Sequence, residues 1–402
     1  MRSIRAVVGA WRRAVAVAAL ILAPFAGAAA AEPTVTLALG GDPATVFRWS
    51  SDACEGWDIP DTAARAIRSA DGTVRLYASH HANRAMSGPS LDAVRHDCAV
   101  VFQGAGSDKP SAFDDKAWLS GLYTLNGVDV FALVHNEFQG NLRPELCPSR
   151  QYMRCWRNSI TFAASHDGGR SFAAPDHPRN LVATPPRQYE PDFGRHVGYF
   201  NPTNIIEREG FYYAFFSAAA YGAQKYGACV MRTDRLDDPS SWRAWDGAAF
   251  TIRFINPYHE SDGDEASHVC EPVGSGRLIT PLASIVRHEA SGFYLMMMAG
   301  TRKLGSQQHP VQGFYVASSK DLISCSEPEL VWATSVHPVA GSCASLTNYP
   351  SLIDPTSTSR NFESIGDRPY LYFVEQIQHG CQVGQERNLL RRPVRIVVKT
   401  RR

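Results

Sequence analysis

Several common chemistries have no footing in this sequence. It holds no G-x-S-x-G elbow, no phosphate-binding glycine loop and no dinucleotide fingerprint, which removes the motifs by which many hydrolases, nucleotide enzymes and redox enzymes are recognised. None of the nine cysteines forms a C-x-x-C pair, so neither a zinc ribbon nor a thioredoxin-type site is expected. Long helical periodicity is missing throughout. An excess of one charge is missing too: 40 Lys and Arg stand against 39 Asp and Glu, a balance that gives no reason to expect nucleic acid or an anionic membrane as partner.

What is present begins with Arg2, Arg5, Arg12 and Arg13, followed by an apolar run from Ala14 to Ala31 that ends in Ala29-Ala30-Ala31 before Glu32. Charge, apolar run and small residues in that order are the layout of a cleavable export signal, residues 1–31. The run is alanine-rich and barely long enough to span a bilayer, which favours cleavage over anchoring. Cleavage removes four of the 40 basic residues and none of the 39 acidic ones, leaving 36 against 39, a net charge of −3. No later apolar stretch reaches membrane-spanning length. The mature chain, residues 32–402, is therefore expected to be one secreted or periplasmic domain without a stable membrane anchor. All nine cysteines (Cys54, Cys98, Cys147, Cys155, Cys229, Cys270, Cys325, Cys343 and Cys381) lie beyond the signal, where an oxidising compartment lets them pair. Their odd number leaves at least one unpaired. Cys147 with Cys155, and Cys325 with Cys343, are close enough in sequence for local staples, although spacing does not fix connectivity.

Internal repetition organises the rest. A recurrent unit reads as a short strand, a tight turn with Gly or Asp, and a second strand rich in aromatic and branched residues. The copies are Ala64 to Ser69, Asp71-Gly72, Thr73 to Ser79; Leu119 to Leu125, Asn126-Gly127, Val128 to Val134; and Thr203 to Arg208, Glu209-Gly210, Phe211 to Ser217. A fourth runs Leu282 to Arg287, Gly292, Phe293 to Ala299, and a fifth, Ser351 to Ile353 and Pro369 to Val374, has a longer turn near Gly366-Asp367. Third strands follow at Ile160 to Asp167, Val230 to Asp234 and Phe314 to Asp321, each ending in Ser or Thr and an Asp turn. Phe172 and Trp242 are placed to open fourth strands. Units of roughly 55 to 80 residues with about four strands cannot bury both faces alone, so they must stack side by side. The expected fold is all-β, a five-bladed β-propeller of about four strands per blade.

Ser165-His166-Asp167-Gly168-Gly169-Arg170-Ser171-Phe172 resembles the Asp box of sialidases, S-x-D-x-G-x-[ST]-[FW], a turn device that lies away from the active face in that family. Asn201-Pro202-Thr203-Asn204-Ile205 with Gly210-Phe211-Tyr212-Tyr213, and Ser319-Lys320-Asp321-Leu322, resemble segments of five-bladed arabinanase, xylosidase and invertase-like glycosidases. The resemblance implies that first strands start, and second strands end, at one face near the central axis. Strand starts would present Asp58, Asp61, Asn201, Glu271 and Asn348 with Tyr349. Counting eight residues on from Gly72, Gly127 and Asp367 adds His80, His135 and Glu375, and His81, Arg84 and Glu137 extend the set.

Glycosidic cleavage needs a protonated acid at the leaving oxygen and a carboxylate that activates water or attacks carbon. The arabinanase-like resemblance implies Asp61 as base and Glu271 as acid, with Glu137 as rival acid and Asp58 as a second candidate at the first opening. Where those families carry a third carboxylate this chain has Asn201-Pro202. A sialidase-like alternative draws on Arg65, Arg84 and Arg302 as its cations, and the histidines His80, His81 and His135 read as ligand contacts, so no metal ligand is assigned. No cofactor is required. His259-Glu260 with Asp262, Asp264 and Glu265 forms an acidic loop with room for a structural calcium, or simply a solvated one. The function expected is an exported glycoside hydrolase acting on an oligo- or polysaccharide or a glycoconjugate at the central pocket. A catalytically silent carbohydrate-binding propeller and a sialidase-like exo-glycosidase are the alternatives.

Overall fold

The computed structural model describes residues 34–399 apart from positions 262 and 306. The export segment expected at residues 1–31 lies outside them. Regular structure is almost entirely strand; among the described residues the α-helical pieces are the single turns Trp49–Asp52 and Tyr152–Cys155.

Among the described residues five antiparallel strand groups, called sheets below, follow one another along the chain; Val197–Phe200 joins the second to the third, pairing parallel with Trp156–Ser165 and antiparallel with Phe211–Ala218. The first holds Arg65–Arg68, Val74–Tyr77, Met86–Gly88 and Arg95–His96. The second holds Lys116–Thr124, Val130–Gln139, Trp156–Ser165 and Leu181–Ala183. Ile206–Arg208, Phe211–Ala218, Gly227–Thr233 and Arg243–Trp245 make the third, and Leu282–His288, Tyr294–Arg302, Val311–Ser319 and Glu329–Ala333 the fourth. The fifth takes Leu346–Ile353, Tyr370–His379 and Gln382–Lys399, and its outermost strand is Thr34–Leu39, paired from Thr34 against Lys399 to Leu39 against Val394. Both ends of the described chain therefore meet in one sheet, which ties the ring shut.

Contacts between inner strands run once around that ring. Arg65 Nε donates to Ser120 O, joining the first sheet to the second. Gly121 then lies so close to the third sheet that a Cβ would sit 2.6 Å from Thr203 O, so only glycine fits. Asn204 Nδ2 and Oδ1 bond Ile285 O and N at 2.7 and 2.9 Å, Ser284 Oγ bonds Pro350 O at 3.2 Å, and Ser351 Oγ bonds Ala64 O at 2.7 Å, completing the circuit through the fourth and fifth sheets.

Side-chain alternation explains why the strands read as nearly continuous apolar runs. In Phe211–Ala218, Ala214 and Phe216 face the core shared with the second sheet, while Tyr213 and Phe215 face the core shared with the fourth. Tyr294–Arg302 divides in the same way, with Met296 and Met298 on one side and Leu295 and Met297 on the other. Each fully buried large side chain contributes about 1.5–3 kcal/mol, and here both faces of a strand collect it. Hairpin turns follow the sequence signals: Glu209 and Gly210 are both left-handed, φ 54° and 80°, as a tight two-residue turn requires.

In the turn opening at Ser165, Asp167 Oδ1 accepts from Ser165 Oγ, Arg170 N and Ser171 N at 2.7–3.0 Å. Asp321 makes the equivalent turn in the fourth sheet, accepting from Ile323 N and Ser324 N. Phe172 packs edge-on against Tyr77, but the fourth strand of that sheet begins only at Leu181. Trp242 does directly precede its strand. The irregular fifth turn has a structural reason: residues 354–364 cross the face where the hairpins turn. Arg68 bonds Ser357 O, Asn361 pairs with both the N and O of Thr124, and Glu363 takes the Glu207 N–H and gives its carbonyl to Arg287 N.

Four disulfides join Cys54 to Cys98, Cys147 to Cys155, Cys229 to Cys270 and Cys343 to Cys381. The local pair Cys147–Cys155 was expected; a Cys325–Cys343 staple is corrected. Cys325 is a free buried thiol beside Met296, and burial pushes its pKa up to about 12.

Candidate active site at the channel mouth

Where the inner strands begin, their openings surround a cavity. Thr62 and Ala63 come from the first sheet, Ser120 from the second, Asn201 and Pro202 from the third, Thr280 to Ala283 from the fourth, and Asn348 to Pro350 from the fifth. Asn201 and Tyr349 line it in left-handed backbone, φ 48° and 58°, a conformation that is costly for a tyrosine and concentrates at functional sites.

Asp61 stands at this opening. Its carboxylate is ion-paired with Arg387, and Tyr349 Oη donates to Oδ1 at 3.1 Å. Burial lowers the Arg387 pKa to about 10, which still leaves it charged at neutral pH. His80 Nε2 lies 3.8 Å from Asp61 Oδ2, but burial, reinforced by His81 and Lys116, lowers the His80 pKa to about 3. The contact is therefore with a neutral ring and is no ion pair. Burial also lowers the His81 pKa, again helped by Lys116. Trp57, half exposed at 51%, stacks on His80 with centroids 5.3 Å apart and planes within 12°.

From His80 an aromatic wall leads to a second carboxylate. Trp118 meets His80, His81 and His135 at 5.3–5.7 Å. His135 Nε2 is 3.1 Å from Glu137 Oε1, and its Nδ1 accepts from Asn201 N at 3.0 Å. That leaves Nε2 to face Glu137, with Asn158 Nδ2 also 2.9 Å from it. Glu137 Oε2 accepts from Gln139 Nε2 at 3.0 Å and from Tyr152 Oη at 3.2 Å, and Tyr152 stacks on Trp156. Burial and the charge of Glu137 both raise the pKa of Tyr152, and the same two causes raise that of Tyr349, so both phenols remain neutral donors. Glu137 is tied to the same opening through His135, which accepts from the backbone of the cavity-lining Asn201, and Asp61 through Tyr349, which lines the cavity too. Thr62 Oγ1, His80 Nδ1 and Trp118 Nε1 are buried there without a hydrogen-bond partner among the described residues, whereas buried polar atoms ordinarily have one.

The other sequence candidates lie elsewhere. Glu271 is paired with Lys225 at 2.6 Å and lines a separate surface pocket with Trp245, Pro272 and Arg277. The inner strand of the fourth sheet reaches the mouth at Thr280, not at Glu271, whose backbone N is still bonded to Trp245 O at the third sheet's outer edge. Asp58 is buried within the first sheet's own network, held by His96 at 2.7 Å and by Cys54 N. Those hydrogen bonds and the charges of His96 and Arg84 outweigh burial, the largest single influence, and lower its pKa. Arg84 serves the same network through Glu55 and Cys98 O, and Arg302 pairs with Glu327 and Arg277 O. Arg65 lines the cavity but donates to three backbone carbonyls. Glu375 lies half-buried opposite Thr347 and Asn388. In the acidic loop, Glu260 is paired with Arg253 and Glu265 with Arg187. Two three-residue groups have metal-ligand spacing, Cys54-Asp58-His96 and Cys147-Cys155-Asp192, but their thiols are already in disulfides.

Sequence reasoning missed Trp118, Tyr152 and Arg387. The strand-opening rule reaches the first, because Lys116-Ala117-Trp118 opens the second inner strand just as Asp61 precedes the first. Nothing local marks Arg387, which lies 326 positions from Asp61.

No protein-family model matches the sequence, and no curated protein matches it. Among solved structures, a thermostable family-43 glycoside hydrolase is similar over 89% of this chain and 97% of its own, at 11% identity and a TM-score of 0.45. An alpha-L-arabinanase from Cellvibrio cellulosa is similar over 83% and 91%, at 11% identity and 0.44. A GH43_1 enzyme from Xanthomonas citri, solved with xylotriose, covers 88% and 90% at 14% identity and 0.46. At these scores no activity or residue role is carried across, and the chain's own side chains bear the functional reading.

Proposed function

We propose that this protein is a glycoside hydrolase whose paired carboxylates are Asp61 and Glu137, working at the mouth of the central cavity on an oligo- or polysaccharide. The observation that supports the reading is the run of side-chain contacts from Asp61 through His80, Trp118 and His135 to Glu137, which links two carboxylates beside the cavity lined by Asn201 and Tyr349. The half-exposed face of Trp57, stacked on His80, suits the apolar face of a sugar ring. Asp61 is assigned as base, because Arg387 and Tyr349 hold Oδ1 and leave Oδ2 for a water. Glu137, the second carboxylate, is assigned the acid role in place of Glu271. The four disulfides agree with a secreted or periplasmic protein.

Release of reducing sugar from a polysaccharide panel tests the proposal. Asp61→Asn and Glu137→Gln should each lower turnover by on the order of a hundredfold or more, while Glu271→Gln should leave it near normal. Normal turnover in Asp61→Asn or Glu137→Gln removes that residue from the mechanism. A second reading, a carbohydrate-binding propeller without turnover, is favoured by the saturation of Glu137 with three hydrogen-bond contacts, which suits rigid recognition. Retention of a glycan on an array without product release would select it.

A further inference from the structure

At the mouth Asp61 is ion-paired with Arg387, and Glu137 accepts from Gln139 and Tyr152 and contacts His135. Arg65 has no acidic partner. Its side chain extends from the first sheet into the ring, where Nε bonds Ser120 O at 2.6 Å, Nη2 bonds Ala283 O at 2.7 Å and Nη1 bonds Ala64 O at 3.2 Å. The residue is 5% exposed, and no carboxylate among the described residues comes within ion-pair distance of it. Three carbonyls satisfy three of five N–H groups and leave the net charge uncompensated. Burial lowers the Arg65 pKa to about 9, so it is still charged at neutral pH.

A buried charge is ordinarily paired, since desolvation without a counter-charge is costly. Arg65 lines both this cavity and a smaller one on the hairpin side, so it stands between the two. No Asp or Glu lines either of them. Arg84 and Arg302 lie in other networks, and Arg65 is the one Lys or Arg among the described residues that line either cavity.

We propose that the cavity takes an acidic sugar, a uronic acid unit whose carboxylate is seated on Arg65. This rests on the carbohydrate reading above and narrows its substrate class. The carboxylate supplies the missing counter-charge and accepts the N–H groups that the backbone carbonyls leave over, a charge-assisted contact stronger than any a neutral hydroxymethyl group makes.

Isothermal calorimetry on the unmodified protein tests this with matched pairs: D-galacturonate against D-galactose, D-glucuronate against D-glucose, and D-mannuronate against D-mannose. At least one uronate should bind about tenfold or more tighter than its neutral partner. Arg65→Gln should erase that preference. If the variant does not fold, the matched pairs on the unmodified protein still decide. No uronate exceeding its neutral partner, including no uronate binding at all, overturns the inference. Hydrolysis of neutral glycans with no acid preference would sink the inference and leave the hydrolase reading standing; tight uronate binding without hydrolysis of any glycan would do the reverse.

Discussion

Cutting the Cys229–Cys270 bridge, as Cys229→Ala/Cys270→Ala, tests both how the ring is held and which carboxylate acts. The bridge closes a loop of 41 residues, and both sulfurs are buried in the core between the second and third sheets. Closing a loop of that length limits the unfolded chain by about 4 kcal/mol. A mature chain of roughly 370 residues unfolds with an entropy of about 0.8 kcal/mol/K, so the midpoint should fall by about 5 °C. Differential scanning calorimetry under oxidising conditions reads this directly. Glu271 adjoins this bridge and is paired with Lys225 away from the mouth, so turnover at 25 °C should be nearly unchanged. A midpoint shift below about 1 °C would refute the bridge as a structural clamp. Loss of turnover in folded variant would return Glu271 to the mechanism.

Three further outcomes are expected. Tyr349→Phe removes the neutral donor on Asp61 Oδ1 and should reduce turnover about tenfold with an unchanged thermal midpoint; equal turnover would show that the contact does not position the base. Glu363 is half-buried with Tyr123 Oη at 3.0 Å, and desolvation raises its pKa, so the folded state binds this proton more tightly than the unfolded one. Its contribution is therefore full in acid and is lost as pH rises through the raised value. Glu363→Gln should flatten that loss, seen as a urea midpoint that gains on the unmodified protein between pH 5 and pH 8; parallel profiles would contradict it. Cys325, with its pKa pushed up to about 12, should not react with a thiol reagent at neutral pH until the protein is denatured, when a single thiol should appear; fast labelling of native protein would contradict its burial.

The hairpins were legible because they are local. Two-residue alternation and glycine turns place Thr73 to Ser79 or Phe211 to Ser217 without reference to anything distant, and the five copies imply a ring. What closes that ring was not legible: pairing Thr34–Leu39 with Gln382–Lys399 depends on where five sheets bring the ends, and neither strand repeats the hairpin pattern. The same limit explains the cysteines. Cys343 is nearer to Cys325 in sequence, yet the chain carries it to Cys381, while Cys325 turns into the core. At the site, Asp61, His80, His135 and Glu137 followed from strand ends. Glu271 misled because a carboxylate before an inner strand was taken to be at the axis, whereas the chain has not yet reached it. Arg387 reaches Asp61 only through the folded ring.

Residues 354–364 span the hairpin face from the fifth sheet to the other four, and Arg65 stands between the two cavities. The axis is thus a cul-de-sac. Whatever enters from the mouth must back out the same way, past Tyr349. On the proposed hydrolase reading, a product that fits the floor well would compete with the next ligand for the same space.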